Sequence, residues 1–131
     1  MAKLIHSMIR VQDLKRSIQF YHEVFGLEVV RRIEFEGFSL TYLANQESDF
    51  ELELTYNFDR VERYHLGDGY GHLAFSTYGI KEIWEKARLK GYTPADIKTL
   101  YKQNDLVARF FFVSDPDGYQ IEVIESNDIF S

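Results

Sequence analysis

The stretch Phe50–Asn57, which reads FELELTYN, alternates polar and apolar residues with a period of two. This period is typical of a β-strand that buries one face. The apolar face would carry Leu52, Leu54 and Tyr56. The opposite face would carry two carboxylates, a hydroxyl and an amide, those of Glu51, Glu53, Thr55 and Asn57. Taken alone, the stretch favours a solvated polar face, and the rest of the chain decides whether that face instead holds something polar.

Length and composition predict one ordinary globular domain. The chain has 131 residues, of which 45% are hydrophobic and 27% charged. It contains no cysteine, which excludes disulfides, thiolate metal sites and cysteine nucleophiles. The formal charge of −6 argues against a nucleic-acid partner, which would require a basic face. We expect a cytosolic protein, since no leader-like or membrane-spanning apolar run is present.

The first half of the chain reads as strand, helix and three strands. Residues 3–11 predict the first strand, and Asp13 is a suitable N-cap for a helix over residues 14–25 that ends at Gly26. The three strands that follow are predicted over residues 27–35, 38–43 and 50–57.

The same order returns after a polar segment, residues 58–69, which we interpret as a linker. A strand is predicted over residues 70–77 and a helix over 80–90; the last three strands are predicted over 92–98, 107–113 and 119–125. The chain is therefore predicted to be a single α+β domain, residues 1–131, built from two βαβββ modules at about 3–57 and 70–125. Such modules would form curved, mostly antiparallel sheets with the helices outside.

The repeat also matches residues of chemical interest. His6 and His72 lie in the first strand of each module, and Glu53 and Glu122 lie in the last strand. Two imidazoles and two carboxylates suit Zn²⁺, Ni²⁺, Co²⁺, Mn²⁺ or Fe²⁺. Four protein ligands would leave two positions of an octahedral ion for water or substrate, which is typical of a catalytic site.

Each of these residues also has a simpler explanation. A lone histidine in a strand is usually structural, and Glu122, between Ile121 and Val123, could point to solvent. Four matched residues in a duplicated pattern are much harder to explain as coincidence. His22 and His65 have no counterpart in the repeat, and we assign them no role.

Neighbouring polar residues share faces with these candidates. Arg10 lies on the face of His6, and Asn57 lies on the face of Glu53. A guanidinium and an amide beside a metal would suit a substrate with a carboxylate or a peptide-like group.

Five segments, which together span most of the chain, resemble the glyoxalase I (lactoylglutathione lyase) family of the vicinal oxygen chelate superfamily. They read HSMIRV at residues 6–11, DL-RSIQFY at 13–21, ELELTYN at 51–57, YGHLA at 70–74 and DPDGYQIE at 115–122. The DPDGY turn marks only the superfamily, whereas the ELTYN segment and the two histidine strands are more specific to glyoxalase I.

The resemblance implies a homodimer with paired βαβββ modules and a divalent metal at each subunit interface. His6 and Glu53 of one chain would meet His72 and Glu122 of the other. Arg10 and Asn57 match positions that hold the glutathione part of the substrate. The short chain resembles the bacterial forms activated by Ni²⁺ or Co²⁺ more than the longer Zn²⁺ enzymes, although Zn²⁺ also fits.

The implied reaction isomerises the hemithioacetal of methylglyoxal and glutathione, or another small thiol, to the S-lactoyl thioester. The metal would stabilise an enediolate, and a carboxylate would move a proton between neighbouring carbons. Glu122 matches the favoured base, and Glu53 is its near-symmetric partner.

One segment departs from the family. Bacterial members usually carry a Lys-Gly-Gly loop, whereas residues 100–106 read LYKQNDL, with Lys102 but no glycine. Lys102 is still a candidate for the thiol's carboxylate, but the thiol could be a different one. Three alternatives are an epimerase of the same superfamily, a thiol transferase and a non-catalytic binding protein. Glu53 argues against the epimerases, which tend to have glutamine there.

Overall fold

The computed structural model describes all 131 residues, Met1–Ser131. Its chain divides into two compact units, Met1–His65 and Leu66–Ser131. Each unit contains one helix and one four-stranded sheet. Both helices, of 12 and 10 residues, fall short of the length and apolar character that a membrane span requires.

The first unit has the element order strand, helix, three strands. These are β1 (His6–Arg10), α1 (Leu14–Phe25), β2 (Glu28–Phe35), β3 (Phe38–Ala44) and β4 (Glu51–Asn57). The sheet order is β1-β4-β3-β2, in which β1 and β4 are parallel and the other pairs are antiparallel. The opening stretch is therefore an interior strand. A solvated face for it is excluded, because Glu53 and Thr55 are both buried.

Helix α1 is formed by the predicted signals. Asp13 is extended and its carboxylate accepts the backbone N–H of Arg16, while Gly26 ends the helix in the left-handed conformation, with φ of 67°. The face of α1 with Phe20, Tyr21 and Val24 is fully buried, in a core that also holds the apolar face of β4.

The second unit repeats this topology. Its elements are β5 (Leu73–Thr77), α2 (Ile80–Leu89), β6 (Lys98–Lys102), β7 (Asp105–Ser114) and β8 (Gln120–Glu125). The sheet order is β5-β8-β7-β6, and only β5 and β8 are parallel. The predicted α+β class with two βαβββ modules is confirmed.

One strand of the second module lies later than predicted. Residues 92–97 form no strand, because Thr93 has a positive φ of 55° and Pro94 lacks a backbone donor. The strand runs instead over Lys98–Lys102. Residues 100–106, which lie between two predicted strands, form the end of β6, a tight turn and the start of β7, so that β6 and β7 make a hairpin. Its tight turn is Gln103-Asn104, and Gln103 has φ of 59°.

Candidate metal and active site

In the first unit, strand register places the predicted residues on one face of the sheet. His6, Met8 and Arg10 of β1 pair in parallel with Glu51, Glu53 and Thr55 of β4. Paired residues in neighbouring strands point to the same side. The opposite side of β4 carries the buried Leu52 and Leu54. The polar face of the opening stretch therefore collects a histidine, an arginine and two carboxylates.

His6 and Glu53 form a close pair on this face. His6 Nε2 lies 3.2 Å from Glu53 Oε1, and the two side chains are 34% and 10% exposed. The edge of the His6 ring meets the Tyr42 ring, with centroids 5.6 Å apart and planes at 79°. The imidazole nitrogen is thus accessible while its carboxylate partner is mostly enclosed.

Two hydroxyls, those of Thr55 and Tyr42, interact with the Glu53 carboxylate. Thr55 Oγ1 donates to Glu53 Oε2 at 3.1 Å. Tyr42 is opposite Glu53 in the sheet, and the interaction of its hydroxyl with that carboxylate, together with burial, raises the pKa of the Tyr42 hydroxyl. A raised pKa keeps the phenol protonated, and therefore a donor, over a wider pH range.

Tyr42 is itself held from its other side. The Arg31 guanidinium lies over its ring at 4.3 Å from the centroid, and Arg31 Nη2 binds Glu51 Oε1 at 2.6 Å. Glu51, which has no counterpart in the repeat, therefore has a partner in its own sheet. The repeat in the sequence did not point to Tyr42 or Arg31. Their signal is the β3 alternation, which puts Tyr42 opposite Glu53, but reading it requires the β3–β4 register.

The second unit contains the matching pair. His72 Nε2 lies 3.2 Å from Glu122 Oε1, and the two side chains are 42% and 18% exposed. The His72 ring meets Phe112 edge to face, with centroids 5.4 Å apart and planes at 86°. Glu122 is opposite Phe112 in the sheet and precedes Ile124 by two residues, so these two positions offer it no hydroxyl.

The strand that carries Glu122 begins at a well-fixed turn. Asp115 Oδ1 accepts the backbone N–H groups of Asp117 and Tyr119, both at 2.9 Å. Asp115 is buried, so these bonds stand in a poorly hydrated place. Gly118 supplies the positive φ, 93°, that this turn needs. The turn therefore fixes where β8 starts and which of its residues face His72.

The donor chemistry of each pair fits a divalent metal. Two ligands bound at about 2.1 Å and at right angles to one another lie about 3 Å apart. The 3.2 Å between imidazole nitrogen and carboxylate oxygen in each pair is close to that separation. No group of three or more candidate ligands gathers at one place in the chain. Each unit thus supplies two donor atoms, one imidazole nitrogen and one carboxylate oxygen.

The three candidate substrate residues lie in different surroundings. Arg10 is exposed and pairs with Thr55 across β1 and β4. Asn57, at the end of β4, donates its amide Nδ2 to the Tyr64 hydroxyl at 2.9 Å. Lys102 is exposed at the end of β6 beside the Gln103-Asn104 turn. The first two share the polar face of the first unit, and Lys102 belongs to the second unit.

Two further histidines lie outside the repeat. His22 Nδ1 lies 3.1 Å from Glu28 Oε1 at the end of α1, an exposed surface pair. His65 belongs to the irregular segment after β4. Neither has a counterpart at the equivalent place in the other module, so neither could join a matched set of ligands.

Comparisons with known proteins agree with this arrangement. The family model described as Glyoxalase/Bleomycin resistance protein/Dioxygenase superfamily matches residues 3–123. A lactoylglutathione lyase of Escherichia coli O157:H7 is 39% identical over 130 residues, which cover 96% of this chain and 94% of that protein. A lactoylglutathione lyase of Neisseria meningitidis serogroup A is 39% identical over 127 residues, covering 94% and 90%.

A solved structure is similar over the same extent. The trypanothione-dependent glyoxalase I of Leishmania major superposes with a TM-score of 0.75 at 35% identity, covering 95% of this chain and 87% of that one. The sequence and structural matches thus run through both units.

Proposed function

The chain belongs to the Glyoxalase/Bleomycin resistance protein/Dioxygenase superfamily, and we propose that it is a metal-dependent lactoylglutathione lyase. The reaction converts the hemithioacetal of methylglyoxal and a small thiol into an S-lactoyl thioester. The observation that carries the proposal is the twin histidine–glutamate pair, with the same 3.2 Å separation at the same place in each module. Relatives of nearly equal length that bear this enzyme name support it.

His6, Glu53, His72 and Glu122 would hold the metal. When bound, a divalent ion supplies electrostatic stabilisation for negative charge that develops on the substrate oxygens. All four donors are nitrogen or oxygen, which is compatible with Ni²⁺, Co²⁺ or Zn²⁺. We favour Ni²⁺ or Co²⁺, as in the short bacterial forms that the sequence resembles.

Glu122 is the residue that we assign as the base. Its carboxylate takes the proton from the carbon next to the carbonyl and returns it to the neighbouring carbon, which leaves a thioester. It is more exposed than Glu53 and lies beside an apolar ring, so it has room to approach a substrate. Glu53 is its counterpart in the first module.

The first unit supplies groups for the thiol portion. Arg10 offers a guanidinium for a carboxylate. Asn57 donates a hydrogen bond from its amide nitrogen to the Tyr64 hydroxyl. Its amide oxygen can then accept a peptide-like N–H of the substrate. Lys102 is a further cation for a carboxylate. These groups suit glutathione or a glutathione-containing thiol.

We infer that the active form is a homodimer in which His6 and Glu53 of one chain meet His72 and Glu122 of its partner. Each unit holds only two of the four ligands, so an ion needs a pair from each kind of unit. Strand β2 also exposes an apolar set that would be costly to leave in water: Val29, Val30, Ile33 and Phe35. The cytosolic location expected from the sequence stays a prediction.

An ultraviolet assay of thioester formation tests the activity. Protein stripped with a chelator and reloaded with Ni²⁺, Co²⁺ or Zn²⁺ is given methylglyoxal with glutathione or with trypanothione. We expect thioester formation with at least one metal and no turnover without metal. Absence of product with every metal and both thiols would refute the proposal. Light scattering tests the dimer, and a fully active monomer would contradict the shared site.

A further inference from the structure

We propose that Tyr42 and Thr55 are positioning residues that fix Glu53 as the stationary carboxylate of the site and so leave the proton transfer to Glu122. The inference rests on the proposed function. It assigns roles to two residues of the first module that the repeat of histidines and glutamates does not include. It also explains why two near-symmetric carboxylates would do different work.

The contacts of Glu53 occupy both of its oxygens. Oε1 lies toward His6 Nε2, and Oε2 accepts the Thr55 hydroxyl at 3.1 Å. Tyr42 is opposite Glu53 in the sheet, and its hydroxyl interacts with the same carboxylate. Hydrogen bonds to an ionised acceptor are about twice as strong as neutral ones. Rotation of this carboxylate would break them in a buried place, where unpaired hydroxyls are costly.

Tyr42 can serve as an anchor because it does not move freely. It is buried, its ring lies under the Arg31 guanidinium, and Arg31 is paired with Glu51. Thr55 follows Glu53 by two residues in the same strand and is buried as well. The two hydroxyls therefore belong to the rigid part of the sheet.

The second module is a natural comparison for this network. Phe112 has the place of Tyr42, since it is opposite Glu122 as Tyr42 is opposite Glu53. Its contact with His72, 5.4 Å and 86°, closely repeats the contact of Tyr42 with His6, 5.6 Å and 79°. Ile124 has the place of Thr55. The strand pairing and the ring contacts match, but both hydroxyls are missing.

The missing hydroxyls distinguish the two carboxylates. A base needs a carboxylate oxygen that is available to accept the proton, whereas a metal ligand works best when its outer contacts hold it. Glu53 has such contacts and Glu122 has apolar neighbours in their place. The geometry thus assigns the stationary role to Glu53.

Removal of each hydroxyl tests the proposal. The variants are Tyr42→Phe and Thr55→Val, with Thr55→Ser as the rescue that keeps the hydroxyl. Metal dissociation constants come from competition with a chromogenic chelator, and the visible spectrum of the Co²⁺-loaded protein reports ligand geometry. We expect affinity to fall about 10- to 100-fold in Tyr42→Phe and in Thr55→Val, an altered Co²⁺ spectrum, and recovery in Thr55→Ser.

Matched controls come from the opposite side of the same sheet. Tyr56→Phe removes a phenol hydroxyl from the apolar side of β4. Thr41→Val removes a buried hydroxyl that has no hydrogen-bond partner. Both should keep the affinity and spectrum of the wild-type protein. Thermal melts of all variants without metal separate loss of affinity from loss of folding.

The reverse substitution, Phe112→Tyr, would give Glu122 a hydroxyl partner like that of Glu53. We expect kcat to fall about tenfold while metal affinity stays equal or becomes tighter. Unchanged affinity and spectra in both Tyr42→Phe and Thr55→Val, in a wild-type protein that binds metal and is active, would overturn the inference but not the proposed function. A wild-type protein that binds no metal and makes no thioester would overturn both.

Discussion

The strands that carry Glu53 and Glu122 have the same place in their modules, yet their surroundings differ. Both glutamates lie 3.2 Å from a histidine at the start of the parallel neighbour strand. His6 is the first residue of β1, whereas His72 immediately precedes β5 and does not, as predicted, lie within that strand. Around Glu53 stand two hydroxyls, an arginine and a second carboxylate; around Glu122 stand a phenyl ring and an isoleucine. The repeated backbone thus preserves the ligand pair, while the side chains beside it set what each carboxylate can do.

The largest expected effect separates the two glutamates directly. Glu122→Gln removes the base and should lower kcat by about 10²- to 10⁴-fold, with a smaller change in metal affinity. Glu53→Gln should reverse the balance and weaken metal binding more than Glu122→Gln does. Steady-state kinetics at saturating metal, together with metal titrations, measure both. Near wild-type turnover in Glu122→Gln would rule it out as the base.

The next effect compares the connections that lead into the two strands. Asp115→Ala leaves the buried N–H groups of Asp117 and Tyr119 without their acceptor and should lower the free energy of unfolding by about 1–3 kcal/mol. Asn45→Ala, in the matching connection of the first unit, removes more exposed bonds and should cost about 0.5 kcal/mol. Urea denaturation followed by circular dichroism measures both. Equal losses would show that the two connections contribute alike.

A smaller difference concerns the helix starts. Asp13 caps α1 through the Arg16 N–H, so Asp13→Ala should destabilise the protein by about 1 kcal/mol. Asp13→Asn keeps a capping oxygen and is the matched control, expected to retain most of the stability. The same denaturation experiment applies. A loss in Asp13→Asn as large as that in Asp13→Ala would point to charge rather than capping.

The smallest expected effect adds to α2 what α1 already has. Gly79 precedes α2 without a side-chain cap, and Glu82 stands three residues later. Gly79→Ser would add a side-chain cap to α2 and should stabilise the protein by about 0.3 kcal/mol. The new Cβ would lie 2.9 Å from Glu82 Oε2, which is the flexible end of a side chain. A lower urea midpoint than that of the wild-type protein would mean that the Glu82 carboxylate cannot move away from the new side chain.

Local sequence signals predicted most of the fold. Asp13, Gly26 and the alternation of residues 50–57 gave α1 and β4 nearly to the residue, because caps and periods act within a few positions. The misplaced strand at 92–98 failed for the opposite reason. The pattern of apolar and polar residues there predicted a strand. Thr93, with its positive φ, and Pro94, which has no backbone N–H, prevent one from forming.

Only those residues of the candidate site that have a counterpart in the other module could be predicted from the sequence. His6, Glu53, His72 and Glu122 could be paired because each has a counterpart. Tyr42 and Arg31 have none, and their relation to Glu53 depends on the β3–β4 register. A loop of residues 45–50 joins these strands, and its length does not fix that register from sequence.

The parallel pairing of β1 with β4 bears on how the protein folds. It joins the two strands of the first unit that are farthest apart in the sequence. Because closing a long loop costs conformational entropy, we expect this pairing to form after the more local β2–β3 and β3–β4 pairings. β1 is also an edge strand, held by bonds such as that from Val11 N to Thr55 O. We therefore expect His6 and Glu53 to become neighbours late in folding. A ligand that binds both His6 and Glu53 will therefore stabilise the pairing of β1 with β4. We expect it to slow amide hydrogen exchange in β1 more than in β3.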